Sequence, residues 1–524
     1  MIMLSEGILS SLYELLRHNA VIASIANVVV LLLLSSHVFR RNADAPPHLP
    51  ETIPFLSNTL QVSTDPKAFW ARTLKTMQNR STDILRLRLA GRPAFLVVGE
   101  KNTNVLFPDV SGRGKAPLPG TEHFAEKNRI WAAWHRIFAE NLLRTKSTND
   151  LAAIFFDNFT TKIAELFKMG EWNTFLVSDW IRRYQTESAA RALNGSRVFE
   201  KNTGYFDLLH ELKLSIIPIA FGPPRWMNPK PHRARDKYLA MNREYMEEAL
   251  RDYDWGSPEA SAPWEPLFGS PLIRGLIRWG LDVGLDTETI AGIFGIQVLN
   301  QNSNSVPAAA WSIANTLTCP DPELLKNIRA EAQAATTVDG KTGKRTFDMQ
   351  KLIKSPWLQA VYTETLRLQV GFSVTRDAVR DTEVDGFRIA KGSMVQAPIP
   401  IAHHDAVWET EGHPVLEFWP QRHLTTVETT DENSKTTTTT DFSLGSRSGY
   451  FFPYGGGATM CPGRHFAKQE IIGTLALFVT QFETEVIGWV TSDGSPSDRE
   501  ARNGEGMAVF QPDRDLKIQV KRCW

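Results

Sequence analysis

The sequence predicts a mostly α-helical body with a minor β part, because helical apolar spacing fills its middle while period-two alternation is confined to short regions. From about 125 to 330 the apolar residues recur at helical spacing, broken by Gly222-Pro223-Pro224 and by the proline-rich stretch Ser257 to Pro271. Before that, Ile84-Leu85-Arg86-Leu87-Arg88-Leu89 alternates and Ala94-Phe95-Leu96-Val97-Val98 runs apolar, the pattern of a β-hairpin turned at Gly91. Strand-like pieces return over 374–400, with Gly386 and Gly392 as turn residues. The Thr/Ser/Asp tract 425–449 reads as an exposed loop, and no internal repeat is visible.

Composition narrows the class further. The chain has 524 residues, with 42% hydrophobic and 22% charged residues, near the average for a folded domain. This excludes wholesale disorder and multi-span membrane architecture. Lys and Arg (58) balance Asp and Glu (58), so the positive field that drives nucleic-acid binding is missing, and nucleic acid is not an expected partner. Three cysteines, Cys319, Cys461 and Cys523, cannot build a disulfide framework; the odd count points to a reducing compartment and a thiol kept for another purpose.

One segment departs from the soluble average. Positions 18–39, between Arg17 and Arg40, carry no Asp, Glu, Lys or Arg and include the run Val28 to Leu34. As a helix they span about 33 Å, enough for a hydrocarbon core of about 30 Å. A cleaved signal peptide is the competing reading, but Glu6 and Glu14 lie in the preceding region and no small-x-small cleavage pattern follows. The expectation is therefore an uncleaved transmembrane anchor at 18–39, after a lumenal segment 1–17. Arg40 and Arg41 put the C-terminal side in the cytosol. Pro46, Pro47, Pro50 and Pro54 make 40–55 an extended, proline-rich hinge to the body at 56–524.

The stretch Phe452-Pro453-Tyr454-Gly455-Gly456-Gly457-Ala458-Thr459-Met460-Cys461-Pro462-Gly463-Arg464 leads into a helical pattern. Glycines, a thiol, then Pro and Gly at a helix start make a loop whose N–H groups can point at a thiolate, and a helix N-terminus lowers a cysteine pKa. Small residues there let a flat macrocycle approach the backbone. Taken alone, the stretch also suits a phosphate-binding loop or a turn with a buried cysteine. Upstream, Glu364 and Arg367 share one helix face, a spacing equally common in surface pairs. The stretch Glu417 to His423 adds Arg422 before the Thr-rich tract.

In this order and spacing, Glu364, Arg367, Arg422 and the Cys461 loop resemble the cytochrome P450 family over essentially the whole chain. The resemblance implies a triangular haem-thiolate fold behind one N-terminal transmembrane helix, with haem b as cofactor and Cys461 as the axial thiolate ligand of its iron. Gly455, Gly457 and Gly463 belong to the implied haem cradle. Glu364, Arg367 and Arg422 match the family's buried ion-pair network. Trp131, with His135 or Arg136, falls where the family places a propionate-binding helix, and Arg376 occupies a second such place; a solvated surface charge is the alternative for each. The implied partners are NADPH-cytochrome P450 reductase, the lipid bilayer and a hydrophobic small-molecule substrate. The implied location is the endoplasmic reticulum membrane, single-pass, with the catalytic domain cytosolic.

Two departures refine this. The loop carries Tyr454 and Thr459 where the family has Phe and a basic residue, similar to the cholesterol 7α-hydroxylase and prostacyclin synthase branch. The long distal helix, capped by Asp286-Thr287-Glu288, reads Asn300-Gln301-Asn302-Ser303-Asn304-Ser305-Val306-Pro307 in its middle, with no acid followed by Thr. Asn304 is the catalytic candidate there, and Pro307 frees the Ser303 carbonyl. Hydroxylation of a bulky apolar terpenoid, sterol or polyketide in a biosynthetic pathway is the first expectation. Rearrangement of a peroxide or epoxide without a redox partner is the second, and a non-catalytic membrane haem-binding protein the third. The segments expected to line the pocket are 115–125, 205–225, 297–311 and 370–375.

Overall fold

In a computed structural model, residues 45–51, 57–89, 91–106, 122–430, 436–506 and 508–524 are described. The segment 1–17, the anchor 18–39 and most of the hinge lie outside them, as does the greater part of 115–125. Among the described residues no helix is long and apolar enough to cross a membrane. The architecture is mostly helical with small sheets, and it divides into two units: one from the N-terminal region through Ser111 plus Thr375–Ala397, the other Gly112–Val374 plus Pro398–Trp524.

In the first unit, helix α1 (Pro66–Arg80) starts at Asp65, whose carboxylate accepts the Ala68 N–H at 3.0 Å, with proline in its first turn. The alternating run folds as expected, into antiparallel β1 (Ile84–Leu89) and β2 (Arg92–Val97), turned at Gly91 with φ 77°. Strand β2 then pairs in parallel with Met394–Pro398, and Ser373–Asp377 forms the far edge. The described part of the hinge is extended but not free: Arg86 exchanges backbone hydrogen bonds with Pro47 and Leu49, and Leu49 is fully buried.

In the second unit, the punctuation predicted from proline and glycine sets the helix ends. Its principal helices are α2 (Ile130–Leu142), α3 (Val177–Asn194), α4 (Tyr205–Phe221), α5 (Pro229–Asp252), α6 (Thr287–Thr318), α7 (Pro356–Gln369) and α8 (Arg464–Gln481). Helix α6 is the spine. Asp286 caps it by accepting the Thr289 N–H at 2.7 Å, and it packs against α3, α5, α7 and α8. Its polar middle is accommodated by bonds one turn back: Asn302 Nδ2 to the Val298 carbonyl at 2.8 Å, Ser303 to Leu299 at 2.5 Å and Ser305 to Gln301 at 3.0 Å. Pro307 stays inside the helix.

The Thr-rich tract differs from its expected form. Leu424–Thr430 and Thr436–Phe442 pair antiparallel, from Leu424 opposite Phe442 to Thr430 opposite Thr436. Exposure is as expected, since Thr425, Thr426, Thr438 and Thr439 face solvent. Runs of β-branched threonine favour a pleated pair over an irregular loop. A C-terminal hairpin joins Asn503–Gly506 to Phe510–Pro512, and the bridge between Val370 and Val509 ties it to the end of α7.

Candidate haem-thiolate site

The Cys461 loop is shaped by its glycines. Gly455 (φ 73°) and Gly457 (φ 65°) hold left-handed backbone, which a side chain would strain. The loop closes on itself through Gly455 N–H to Phe452 at 2.9 Å, Met460 N–H to Gly457 at 3.0 Å and Cys461 N–H to the Tyr454 carbonyl at 3.0 Å. Gly463 caps α8, so Cys461 sits just before a helix N-terminus, and Arg464 donates to the Cys461 carbonyl at 3.0 Å. Burial pushes the Cys461 thiol up; the Gly463 and Arg464 N–H groups and the Arg464 charge work the other way.

Cys461 opens into a cavity of about 340 Å³. Its walls come from Phe138 and Leu142 of α2, residues 297–305 of α6, Leu366, Val370 and Phe372 at the end of α7, and Ala508 and Val509 of the C-terminal hairpin. Two of the expected pocket segments, 297–311 and 370–375, thus contribute; none of the lining residues comes from 205–225.

Behind the loop, Glu364, Arg367 and Arg422 form the expected network, fully buried. Arg367 donates to both Glu364 oxygens at 2.9 and 2.8 Å, Arg422 Nε donates to Oε1 at 2.9 Å, and the Trp419 N–H adds a fourth bond at 3.1 Å. His423 completes it, Nε2 to Oε2 at 2.9 Å. Burial would raise the Glu364 carboxyl, but bonds from Arg367 and His423 and the Arg367 charge hold it well below the carboxylate range. The guanidinium of Arg367 also lies 5.5 Å from the Trp408 ring centroid.

His403 joins this network to the cysteine loop. Its Nε2 accepts the Phe452 N–H at 3.3 Å, so Nδ1 carries the hydrogen and donates to the Arg367 carbonyl at 3.2 Å. Burial holds His403 neutral, well below the usual imidazole range, with His404 and Arg367 acting in the same direction. His403 and His423 were missed in the sequence: their partners are distant in the chain, and only the adjacency of His423 to Arg422 hinted at one of them.

The remaining candidates separate. Asn304 lines the cavity, but its Oδ1 accepts the Ala508 and Val509 N–H groups at 3.2 and 3.1 Å, so its acceptor end is spent on backbone. Trp131, His135 and Arg136 are exposed on α2, and Arg376 is buried in the first unit, donating to the Thr375 carbonyl at 3.0 Å. Trp134, not singled out in the sequence, has a buried indole N–H without a hydrogen-bond partner and packs on Phe138 of the cavity wall, ring centroids 6.1 Å apart. Tyr454, the departure from Phe, bonds Tyr362 of α7 through their hydroxyls at 2.8 Å.

A thiol at a glycine-loop-to-helix junction, facing a cavity across from a long helix, is the arrangement of a haem-thiolate centre. The comparisons agree with it. A family profile described as cytochrome P450 matches residues 307–509. "Cytochrome P450 monooxygenase calL" of Penicillium decumbens is 36% identical, covering 95% of this chain and 97% of that protein. "Cytochrome P450 monooxygenase fsoE" of Humicola fuscoatra is 26% identical over 91% of this chain and 87% of its own. "Cholesterol 7-alpha-monooxygenase" of Cricetulus griseus is 30% identical over 42% of each chain. The chain belongs to the cytochrome P450 monooxygenase family. Its residues fit the haem-thiolate iron this implies: Cys461 faces the cavity, the loop glycines need no side-chain room, and Trp134 holds an unpartnered buried donor beside the cavity wall.

Proposed function

We propose that this enzyme hydroxylates a bulky, mostly apolar small molecule, a terpenoid, sterol or polyketide of a biosynthetic pathway, with electrons passed from NADPH by a reductase. The observation that carries this is the cavity over Cys461, whose walls away from the α6 amides are chiefly Phe, Leu, Val and Pro. Haem b, held by Cys461, would supply the iron centre at which dioxygen is activated, the thiolate favouring O–O cleavage. The chain's own residues bind and orient. Phe138, Leu142, Leu366 and Val370 exclude water and hold an apolar skeleton, while Gln297, Asn300 and Gln301 offer amides to a sparse set of oxygens. Trp134 is proposed to donate to a propionate, together with Trp131, His135 or Arg136 on the same helix and Arg376. Asn304 acts as a positioning residue, fixing Ala508 and Val509 as part of the wall. Residues 18–39 are proposed to anchor the enzyme in the endoplasmic reticulum membrane with its body in the cytosol.

The experiment is product formation from candidate terpenoids, sterols and polyketides in membranes with and without reductase. Product that requires reductase, NADPH and oxygen supports hydroxylation. Product from a peroxide or epoxide without them would identify an isomerase, and haem binding without turnover of any candidate would identify a binding protein.

A further inference from the structure

A second cavity, of about 780 Å³, opens at the C-terminal end of α5 and shares no lining residue with the cavity over Cys461. Its walls are the last two turns of α5, the short helix Arg197–Lys201 and the connection from Tyr253 to Leu267. Six carboxylates line it against two cations. Lys201 pairs with Glu248, and Arg197 lies 3.5 Å from Glu200. Buried Glu265 lies 3.8 Å from Arg274 and accepts the Leu267 and Phe268 N–H groups at 2.7 and 2.6 Å. Asp252, Asp254 and Glu259 remain; all three are exposed, and among the described residues none is in an ion pair. The carbonyl end of α5, a 24-residue helix, adds the negative end of its dipole. Beside these acids lies Tyr253, 8% exposed. Trp255 and Phe268 meet its ring edge to face, centroids 4.7 and 4.9 Å away, and its hydroxyl is buried without a hydrogen-bond partner. Burial pushes this phenol up; the charges of Glu265 and Glu259 add to it and Arg274 opposes, so the hydroxyl sits on the ring's cavity side, among the lining acids. An unpaired buried hydroxyl carries a cost that a bound donor removes. Among the described residues no three carboxylates are placed to hold one metal ion, so the negative charge is spread out and suits a cation that is itself extended.

We propose that this cavity binds a linear aliphatic polyamine, whose ammonium groups pair with Asp252, Asp254 and Glu259 while one of them donates to the Tyr253 hydroxyl oxygen. Its methylene links lie against Ala249, Pro266 and Leu267. A triamine matches the three unpaired carboxylates, and ammonium groups have only hydrogens to give, which is what a phenol oxygen with free lone pairs accepts. The site needs neither the iron nor a substrate, and it does not depend on the monooxygenase reading.

Isothermal titration calorimetry of spermidine into the haem-loaded full chain, in non-ionic detergent at low ionic strength, tests this. One spermidine per chain is expected, with affinity falling as salt is raised. The diamine putrescine, which leaves a carboxylate unpaired, should bind about fivefold more weakly. Tyr253→Phe keeps the ring and removes the oxygen, and should weaken spermidine about tenfold. Asp252→Asn and Glu259→Gln should each weaken it about threefold, and all three variants should keep the reduced carbon-monoxide band. Spermidine that does not bind wild type, binds no more tightly than magnesium ions, or binds all three variants as tightly as wild type overturns the proposal. So does a hexalysine peptide that binds where spermidine does not, which would give the cavity to a protein partner. If Tyr253→Phe does not load haem, the two exposed acids decide: weaker binding in both supports the site, and unchanged binding in either overturns it.

Discussion

Glu364 is the residue where burial and pairing oppose each other most strongly. A carboxylate this deep is tolerable only because Arg367, Arg422, His423 and the Trp419 N–H satisfy its lone pairs. Replacing Arg422 with Ala leaves that charge under-paired, so chemical denaturation should show a loss of about 3–5 kcal/mol, with haem content falling in step. Its sign with pH follows from the depressed carboxyl. The stability Glu364 contributes is fully present above the unfolded carboxylate range, near pH 4, and is lost only as pH falls through its lower folded value. His403 responds earlier. Its folded imidazole is depressed, so its contribution is present above about pH 6.5 and drains away below it. Unfolding free energy measured between neutral pH and pH 4 should therefore lose about 1.4 kcal/mol per pH unit less in His403→Gln than in wild type. An identical slope would remove His403 from the acid response; His404 and His423, also depressed by burial, supply the remainder.

At the scale of elements, the two ends of α6 were readable and its middle was not. Asp286 and the break at Cys319-Pro320 mark the ends by local chemistry, but where Asn304 spends its oxygen depends on residues 508–509, which sequence spacing does not bring near. That pair of bonds gives a direct check. Asn304→Ala should speed amide exchange at Ala508 and Val509 by about fivefold, the worth of a hydrogen bond of roughly 1 kcal/mol, while Gly371, whose N–H bonds the Ala508 carbonyl, shifts less. The β1–β2 hairpin was legible because alternation and Gly91 are local signals. The Thr-rich tract pairs where its polar composition points to a loop, because its β-branched side chains drive pairing. The same limit applies to Trp134: the sequence offers Trp131 and Trp134 equally, and only packing on Phe138 selects between them.

At the scale of the whole molecule, topology and haem ligation are separable claims. The sequence holds three sequons, Asn79-Arg80-Ser81, Asn158-Phe159-Thr160 and Asn194-Gly195-Ser196; Asn194 is fully buried and Asn158 is half-buried with its amide on the Ser188 carbonyl, so of the three the exposed Asn79 is the one that can report on topology. A cytosolic body predicts no mobility shift at Asn79 on endoglycosidase treatment, and removal of residues 1–39 should release the enzyme from the membrane fraction. The central claim is that Cys461 alone supplies the thiolate; all three cysteines are free, but only this one faces the cavity. The most direct measurement is the reduced carbon-monoxide difference spectrum of single cysteine variants. Cys461→Ser should lose the band characteristic of thiolate-ligated haem while Cys319→Ser and Cys523→Ser keep it; a band retained in Cys461→Ser would contradict the assignment.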